Sequence, residues 1–287
     1  MTLEADHCLD HPLDYYKRAG CGRIHNKDVL DPLEVKKGDS VFVKTDYIFH
    51  GIFQKDILEQ IKNPFILISG VSSYQPGANG DNSYLKILQD SRVMKWFCTN
   101  PPDIKSEKIV PIPIGFEEPE REGGNQEVLS HYNRKIHDFD KKENKLYLPY
   151  HTVGNNPSRD RFIRHLSSLD FVEVEENRLP FQEYLQKLEK FKYIICLEGA
   201  GYDTHRNYES LLVGSVPIMK TSTVKGVYDR NELPSVFVDD WLKVDESFFS
   251  HINSKTYDFK NVKNFMEIGY HMRDIEKTKE RLMNDEG

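Results

Sequence analysis

Between Tyr193 and Met219 the chain reads YIICLEGAGYDTHRNYESLLVGSVPIM, a run whose residue types suit the holding of an anion. A buried strand ends near Leu197, with Glu198 at its exit. Gly199 and Gly201 follow, and helical spacing opens at Asp203 or Thr204. A helix start offers unpaired N–H groups and the positive end of the peptide dipole. Glycines let a phosphate come close to the backbone. His205 and Arg206 add donors. Glu209 lies one turn after His205 on the same face, where its carboxylate can accept two hydrogen bonds from a ribose diol. In an open parallel sheet such a turn lies beyond the carboxyl ends of the strands, where ligands bind. No Gly-Lys-Ser/Thr follows the glycines, so this is not a P-loop. Thr204 replaces the third glycine of a dinucleotide loop. The same residues also suit an ordinary strand–turn–helix capped by Asp203 or Thr204.

Other charged groups in the chain also suit ligand binding. Arg159, Arg161 and Arg164 open the helix after the strand KLYLP, and Arg159 or Arg161 can clamp a pyrophosphate. The alternative is a solvated basic face. Asp138-x-Asp140 and Asp239-Asp240 resemble acidic metal motifs. The first sits in a charged stretch, and the second follows VFV and better suits a helix cap. Cys8, Cys21, Cys98 and Cys196 form no CxxC pair and read as free thiols of a reducing compartment. A zinc site from Cys8, Cys21, His7, His11 and His25 follows no recognised spacing.

The elements that position these groups alternate. Short apolar runs predict strands at Val41–Thr45, Phe65–Ser69, Lys95–Cys98 and Ile109–Ile114, with helices at Ile52–Ile61 and Ser83–Leu88 between them. A polar stretch, Glu117–Glu143, reads as a connection with a helix near Gln126–His137. The pattern restarts at Lys145–Pro149. Asn155-Asn156-Pro157-Ser158 starts a helix to about Leu166. Strands follow at Phe171–Val174, Tyr193–Leu197, Val216–Met219 and Val236–Val238, and helices at Pro180–Leu188 and Thr204–Leu212. The tail Asn261–Leu282 reads as a helix pair or one bent helix. Buried strands alternating with helices imply α/β architecture with parallel sheets covered on both faces. The expected organisation is a domain over residues 1–140, a second over 141–260, and a helix in 261–287 crossing back to the first.

The 287 residues suffice for two domains, and 38% hydrophobic residues suffice for packed cores. A net charge of −7 without a basic stripe argues against a nucleic-acid partner. No apolar run reaches the length of a membrane helix, and the polar N-terminus carries no secretory h-region, so a cytoplasmic location is expected. With 15 tyrosines and 16 phenylalanines, a few rings are expected to stack on a sugar.

The run LEGAGYDTHRNYESLLVGSVPIM resembles the C-terminal signature of the exostosin-type glycosyltransferases. There a small-residue loop precedes D-T-H-R, an aromatic–Glu pair and G-x-V-P-I, here Asp203, Thr204, His205, Arg206, Tyr208, Glu209, Gly214, Val216, Pro217 and Ile218. NNPSRDRF and WFCTNPPDIKSEKIVPIPIGFE carry weaker likenesses. The chain is shorter than the membrane-anchored animal members and looks more like compact enzymes of large algal viruses, some xylosyltransferase-like. The resemblance implies a GT-B enzyme of two Rossmann-like domains about a cleft. It would move a sugar, xylose being the leading guess, from a UDP-sugar to a glycan hydroxyl. Inversion is implied, with no metal and no other cofactor. Glu209 would bind the ribose. Arg206, His205 and Thr204 would face the diphosphate or sugar, and Asp203 would orient sugar hydroxyls. The acceptor would lie on the first domain, so the general base is expected at the end of one of its strands: Asp46 first, then Asp81, then His50. Their ordinary alternatives are a cap, a turn residue and a structural imidazole. The alternative functions are a metal-dependent GT-A transferase and a non-catalytic nucleotide- or sugar-binding protein.

Overall fold

The computed structural model describes residues 5, 7–9, 30–151 and 158–284. The side chains of His7, Cys8, His11, Cys21 and His25, and the helix start at Asn155-Asn156-Pro157, lie outside the described residues. The chain divides into two compact units. One is built on the chain up to Pro113 together with the segment from His271, and the other on Ile114–Tyr270. The expected α/β class with two Rossmann-like units is what the structure has.

In the first unit β1 (His7–Leu9), β2 (Ser40–Lys44), α1 (Thr45–Phe49), β3 (Phe65–Gly70), α2 (Leu85–Gln89), β4 (Val93–Cys98) and β5 (Ile109–Pro111) follow one another. The five strands pair in parallel in the order β1-β2-β3-β4-β5. Alternation along the strands sorts the core into two faces. Val41, Val43, Phe65, Leu67 and Trp96 pack with Tyr47, Ile48, Phe53, Leu58 and Ile87 of the connections. Ile66, Ile68, Phe97 and Ile112 point the other way and meet Ile275 near the end of the chain. The helix expected over Ile52–Ile61 is instead a π turn, Phe53–Ile57, followed by a 3-10 turn, Leu58–Gln60. The reason is the apolar spacing. Phe53, Leu58 and Ile61 are five and three residues apart, which a wide turn followed by a tight one brings to one side. The strand expected to reach Ile114 stops at Pro111, since Pro113 has no N–H to give a ladder.

The second unit contains α3 (Gln126–Arg134), β6 (Glu143–Leu148), α4 (Ser158–Ser167), β7 (Val172–Val174), α5 (Phe181–Lys190), β8 (Phe191–Cys196), α6 (His205–Leu212), β9 (Val216–Lys220), α7 (Lys225–Asn231), β10 (Val236–Val238), α8 (Glu246–Asn253) and α9 (Val262–Phe265). Its parallel strand order is β10-β9-β8-β6-β7. Both faces are covered. Tyr147, Ile194, Cys196 and Met219 pack on α5 and α6. Leu146, Tyr193, Ile195 and Ile218 pack on Leu166, Trp241 and Ile252. The polar stretch 117–143 is more than a connection. Asn125 caps α3 by accepting from the N–H groups of Glu127 and Val128, and Leu129 and Tyr132 of α3 enter the core beside Tyr147 and Ile194. The tail is a helix pair, α9 and the longer α10 (Ile268–Asn284). No described helix is long and apolar enough to cross a membrane.

Candidate functional site

The second sheet reverses direction between β6 and β8. The chain enters at β6, moves to β7 on one side and returns to β8 on the other. Loops leaving two such neighbouring strands part in opposite directions and leave a crevice at their carboxyl ends. The segment after β6 supplies Tyr150 and His151. The segment after β8 supplies Glu198 to Thr204 and leads into α6.

Helix α6 is placed by burial of Tyr208, Leu211 and Leu212, worth about 1.5–3 kcal/mol each. Thr204 is extended, and its hydroxyl donates to Asn207 Oδ1 at 2.9 Å rather than to the backbone. The helix ends at Gly214, whose φ is +70°. A Cβ there would sit 2.3 Å from the His137 Cβ, so no other residue fits. Gly199 differs, because a Cβ on it would meet nothing closer than 3.6 Å. The protein's own packing does not require a glycine at that position.

Asp203 is 5% exposed. Its Oδ2 accepts from Ile114 N–H and the Tyr208 hydroxyl, both at 2.8 Å, and its Oδ1 from Asn207 Nδ2 at 3.0 Å. Burial pushes its pKa up to about 6 against those donors. The expected contact with sugar hydroxyls meets a carboxylate already engaged by three protein donors, which ties the loop to the segment at Ile114. His205 does the same from the other side, its Nδ1–H donating to the Gly115 carbonyl at 2.7 Å.

Arg206 is held at three points. Its Nε donates to the Tyr184 hydroxyl oxygen at 3.3 Å, its Nη2 to the Tyr150 carbonyl at 3.3 Å, and its Nη1 to His151 Nε2. All three acceptors are neutral, and among the described residues Arg206 makes no ion pair. Arg159, buried on α4, donates to the Glu198 carbonyl, and its pKa is lowered by burial and then by the nearby charge of Arg206. Two guanidinium groups are thus close enough to repel. Glu209 is 7% exposed, and its Oε2 accepts from the Tyr184 hydroxyl at 2.8 Å. Burial raises its pKa. Its Oε1 has no protein partner among the described residues. Glu198 turns to Lys220, 3.7 Å from Oε1, and to the Trp241 indole N–H at 2.9 Å from Oε2.

The structure therefore brings together Arg159, Glu198, Asp203, Thr204, His205, Arg206 and Glu209. It separates Arg161, which is exposed. Two residues along a helix is about 200°, so Arg159 and Arg161 cannot face one site. His151 and Tyr184 stand in no motif of the sequence. The legible signal for His151 was a polar ring just past the strand KLYLP. Asp138 and Asp240 each cap a 3-10 turn. Among the described residues no group of three or more His, Cys, Asp or Glu could hold a metal ion.

Asp46 lies in the first turn of α1, buried, 4.0 Å from Lys44 Nζ. His50 is exposed and meets Phe49 and Tyr74 edge-on at 5.1 and 5.7 Å, and those two rings stack at 4.3 Å. Asp81 is a turn residue. Its two oxygens accept from Ser83 N–H at 2.8 Å and the Ser83 hydroxyl at 3.1 Å. Val71 after β3 and Asn100 after β4 hold φ of +54° and +45°. For a β-branched residue such as Val71 that conformation is strained, and strain of this kind collects at ligand sites. The Thr99 hydroxyl beside them is buried without a hydrogen-bond partner.

No protein-family model matches the chain, and no curated protein matches its sequence. Among solved structures the chain is similar to the GtfA/B complex, with 9% identity and a TM-score of 0.42. It is similar to the pneumococcal O-GlcNAc transferase GtfA in complex with UDP and GlcNAc, with 11% identity and a TM-score of 0.39. In both, 88% of this chain aligns with 58% of the other, so it spans little more than half their length. A third is the UDP-GlcNAc 2-epimerase from Methanocaldococcus jannaschii, with 13% identity, a TM-score of 0.35, and 83% of this chain on 76% of that one. These likenesses are in the course of the backbone.

Proposed function

We propose that the protein is a glycosyltransferase whose UDP-sugar donor binds at the carboxyl edge of the second sheet. One observation carries the reading. The Arg206 guanidinium is fixed by three neutral acceptors, beside a second guanidinium and one side chain from the open Oε1 of Glu209. A cation positioned without a carboxylate keeps its charge for an incoming anion. The start of α6 adds the positive end of its dipole. The diphosphate lies against Arg206 and Arg159, and the ribose diol donates to Glu209.

These groups also do the chemistry of departure. As the acceptor oxygen attacks the anomeric carbon from the opposite face, negative charge builds on the leaving diphosphate. Preorganised cations stabilise it there. The two arginines supply that charge in place of a metal, and attack from the opposite face inverts the anomeric carbon. A glycan hydroxyl, with xylose the first sugar to try, completes the reaction. The acceptor is assigned to the first unit, where Asp46 at the end of β2 takes its proton, ahead of Asp81 and His50.

Calorimetry with UDP, UDP-xylose and UDP-glucose tests the donor site, followed by a transfer assay with and without EDTA. Micromolar binding that Arg206→Ala weakens about tenfold or more supports the reading. Binding of none of the three by the folded protein rejects it. Activity abolished by EDTA and restored by manganese would replace it with a metal-dependent transferase.

A further inference from the structure

His151 stands between two groups that leave it no choice of proton. Its Nδ1 faces the Pro149 carbonyl, which can only accept. Its Nε2 faces Arg206 Nη1, which can only donate. The ring must therefore carry its single proton on Nδ1 and present a lone pair at Nε2. Arg206 is then held from three sides, by the hydroxyl of Tyr184, the carbonyl of Tyr150 and this imidazole. Of the three acceptors, the imidazole alone can be switched off by a proton as the pH falls into the acid range.

We propose that His151 is a positioning residue for the anion site: its neutral ring aims the Arg206 guanidinium, and acid that charges the ring releases that guanidinium. This rests on the reading of the second sheet's edge as the donor site. Among the described residues, the charged and titratable groups around the ring are Arg206 of α6 and Arg159 of α4, with Glu209 and Tyr184 beyond Arg206. Both near neighbours are cations. A charged ring would set N–H against N–H and add a third positive charge. Burial first, then Arg206, hold the ring's pKa well below the usual histidine value. A group whose folded pKa is depressed keeps its contact at high pH and loses it as the pH falls. Burial of the ring alone would depress its pKa too, but it would not make the order of Arg206 depend on an acceptor at position 151.

Two measurements test this. In the ligand-free protein the ¹⁵N-edited Nε–H signal of Arg206 reports whether its head is held. Calorimetry uses UDP-glucose, whose diphosphate diester lacks the second ionisation near pH ~6 of a terminal phosphate and so keeps its charge as the pH falls. His151→Ala should broaden the Arg206 signal and weaken UDP-glucose about tenfold at neutral pH. His151→Gln, whose amide oxygen can accept the same N–H, should keep the signal and bind within about threefold of wild type. Wild-type affinity should fall on acidification, and that of His151→Gln should fall less. An Arg206 signal and affinity equally strong in folded His151→Ala overturn the proposal. If wild type binds no nucleotide sugar while the Arg206 signal still depends on His151, the positioning role stands and the donor reading falls.

Discussion

The two parallel sheets are wound differently. In the first, β1 to β5 lie side by side in chain order, whereas the second is entered at β6 and grows outward in both directions. Right-handed crossovers that always step the same way put their connections on one face. The first sheet accordingly carries α1 and α2 on one face, and its other face is met by Ile275 of α10. Reversal in the second sheet spreads α4, α5 and α6 over both faces and parts the loops after β6 and β8. The polar groups follow this difference. The reversed sheet places Arg206, held by three neutral acceptors, near the guanidinium of Arg159. The sequential sheet carries a buried carboxylate, an unpartnered hydroxyl and one strained residue, Val71. We read the first arrangement as suited to a diphosphate and the second as suited to a hydroxyl-rich acceptor.

Substitutions can break this contrast at different strengths. The largest effect is expected from Asp46→Asn, which should cut transfer about 10²–10⁴-fold while leaving UDP affinity unchanged in calorimetry. Silence there with a loss in Asp81→Asn or His50→Asn moves the base, and silence in all three removes the acceptor from this edge. Next is Ile275→Ala, which should destabilise the sequential sheet by about 2–5 kcal/mol. The two tryptophans report the sheets separately, since Trp96 packs in the first and Trp241 in the second. Urea unfolding followed through Trp96 in a Trp241→Phe background should shift more than that through Trp241 in a Trp96→Phe background. Equal shifts would mean that Ile275 serves both sheets. Glu209→Ala should then cost about 1–3 kcal/mol in UDP binding. Unchanged affinity would take the ribose away from α6. The smallest effect belongs to Arg161→Ala, expected within about 0.5 kcal/mol for stability and UDP affinity alike, where Arg159→Ala should weaken the nucleotide measurably.

The strands were legible because runs such as FILIS and YIICL, flanked by turn residues, leave little else to form. The candidate anion site was legible because glycines, cations and a carboxylate crowd one strand-to-helix turn. Contacts between residues distant in sequence were not. Tyr184 reaches Glu209 and Arg206 across 25 and 22 residues, and His151 reaches Arg206 across 55. No local pattern encodes those pairings. Asp203 shows the converse, since its position in the motif suggested a ligand contact and only the fold reveals the Ile114 N–H and Tyr208 hydroxyl that engage it. Helix α7 is obscured by Gly226 within it and Pro234 just beyond it, and α8 is only eight residues long, too short for a clear helical period. The π turn after α1 escaped because its spacing differs from that of an α-helix.

The position of α10 sets a timetable for synthesis. The strands carrying Ile66, Ile68, Phe97 and Ile112 leave the ribosome well before the side chain that meets them, Ile275 of α10. At about 5–20 residues per second, the stretch from Pro113 to Asn284 takes roughly 10–30 s to translate. For that interval one apolar face of the nascent sheet lacks its partner, while the second unit, from Ile114 to Tyr270, can complete its own two-sided core in the meantime. The first unit is thus begun before the second and closed after it, and a nascent chain stalled before α10 would present that face to chaperones or to other nascent copies.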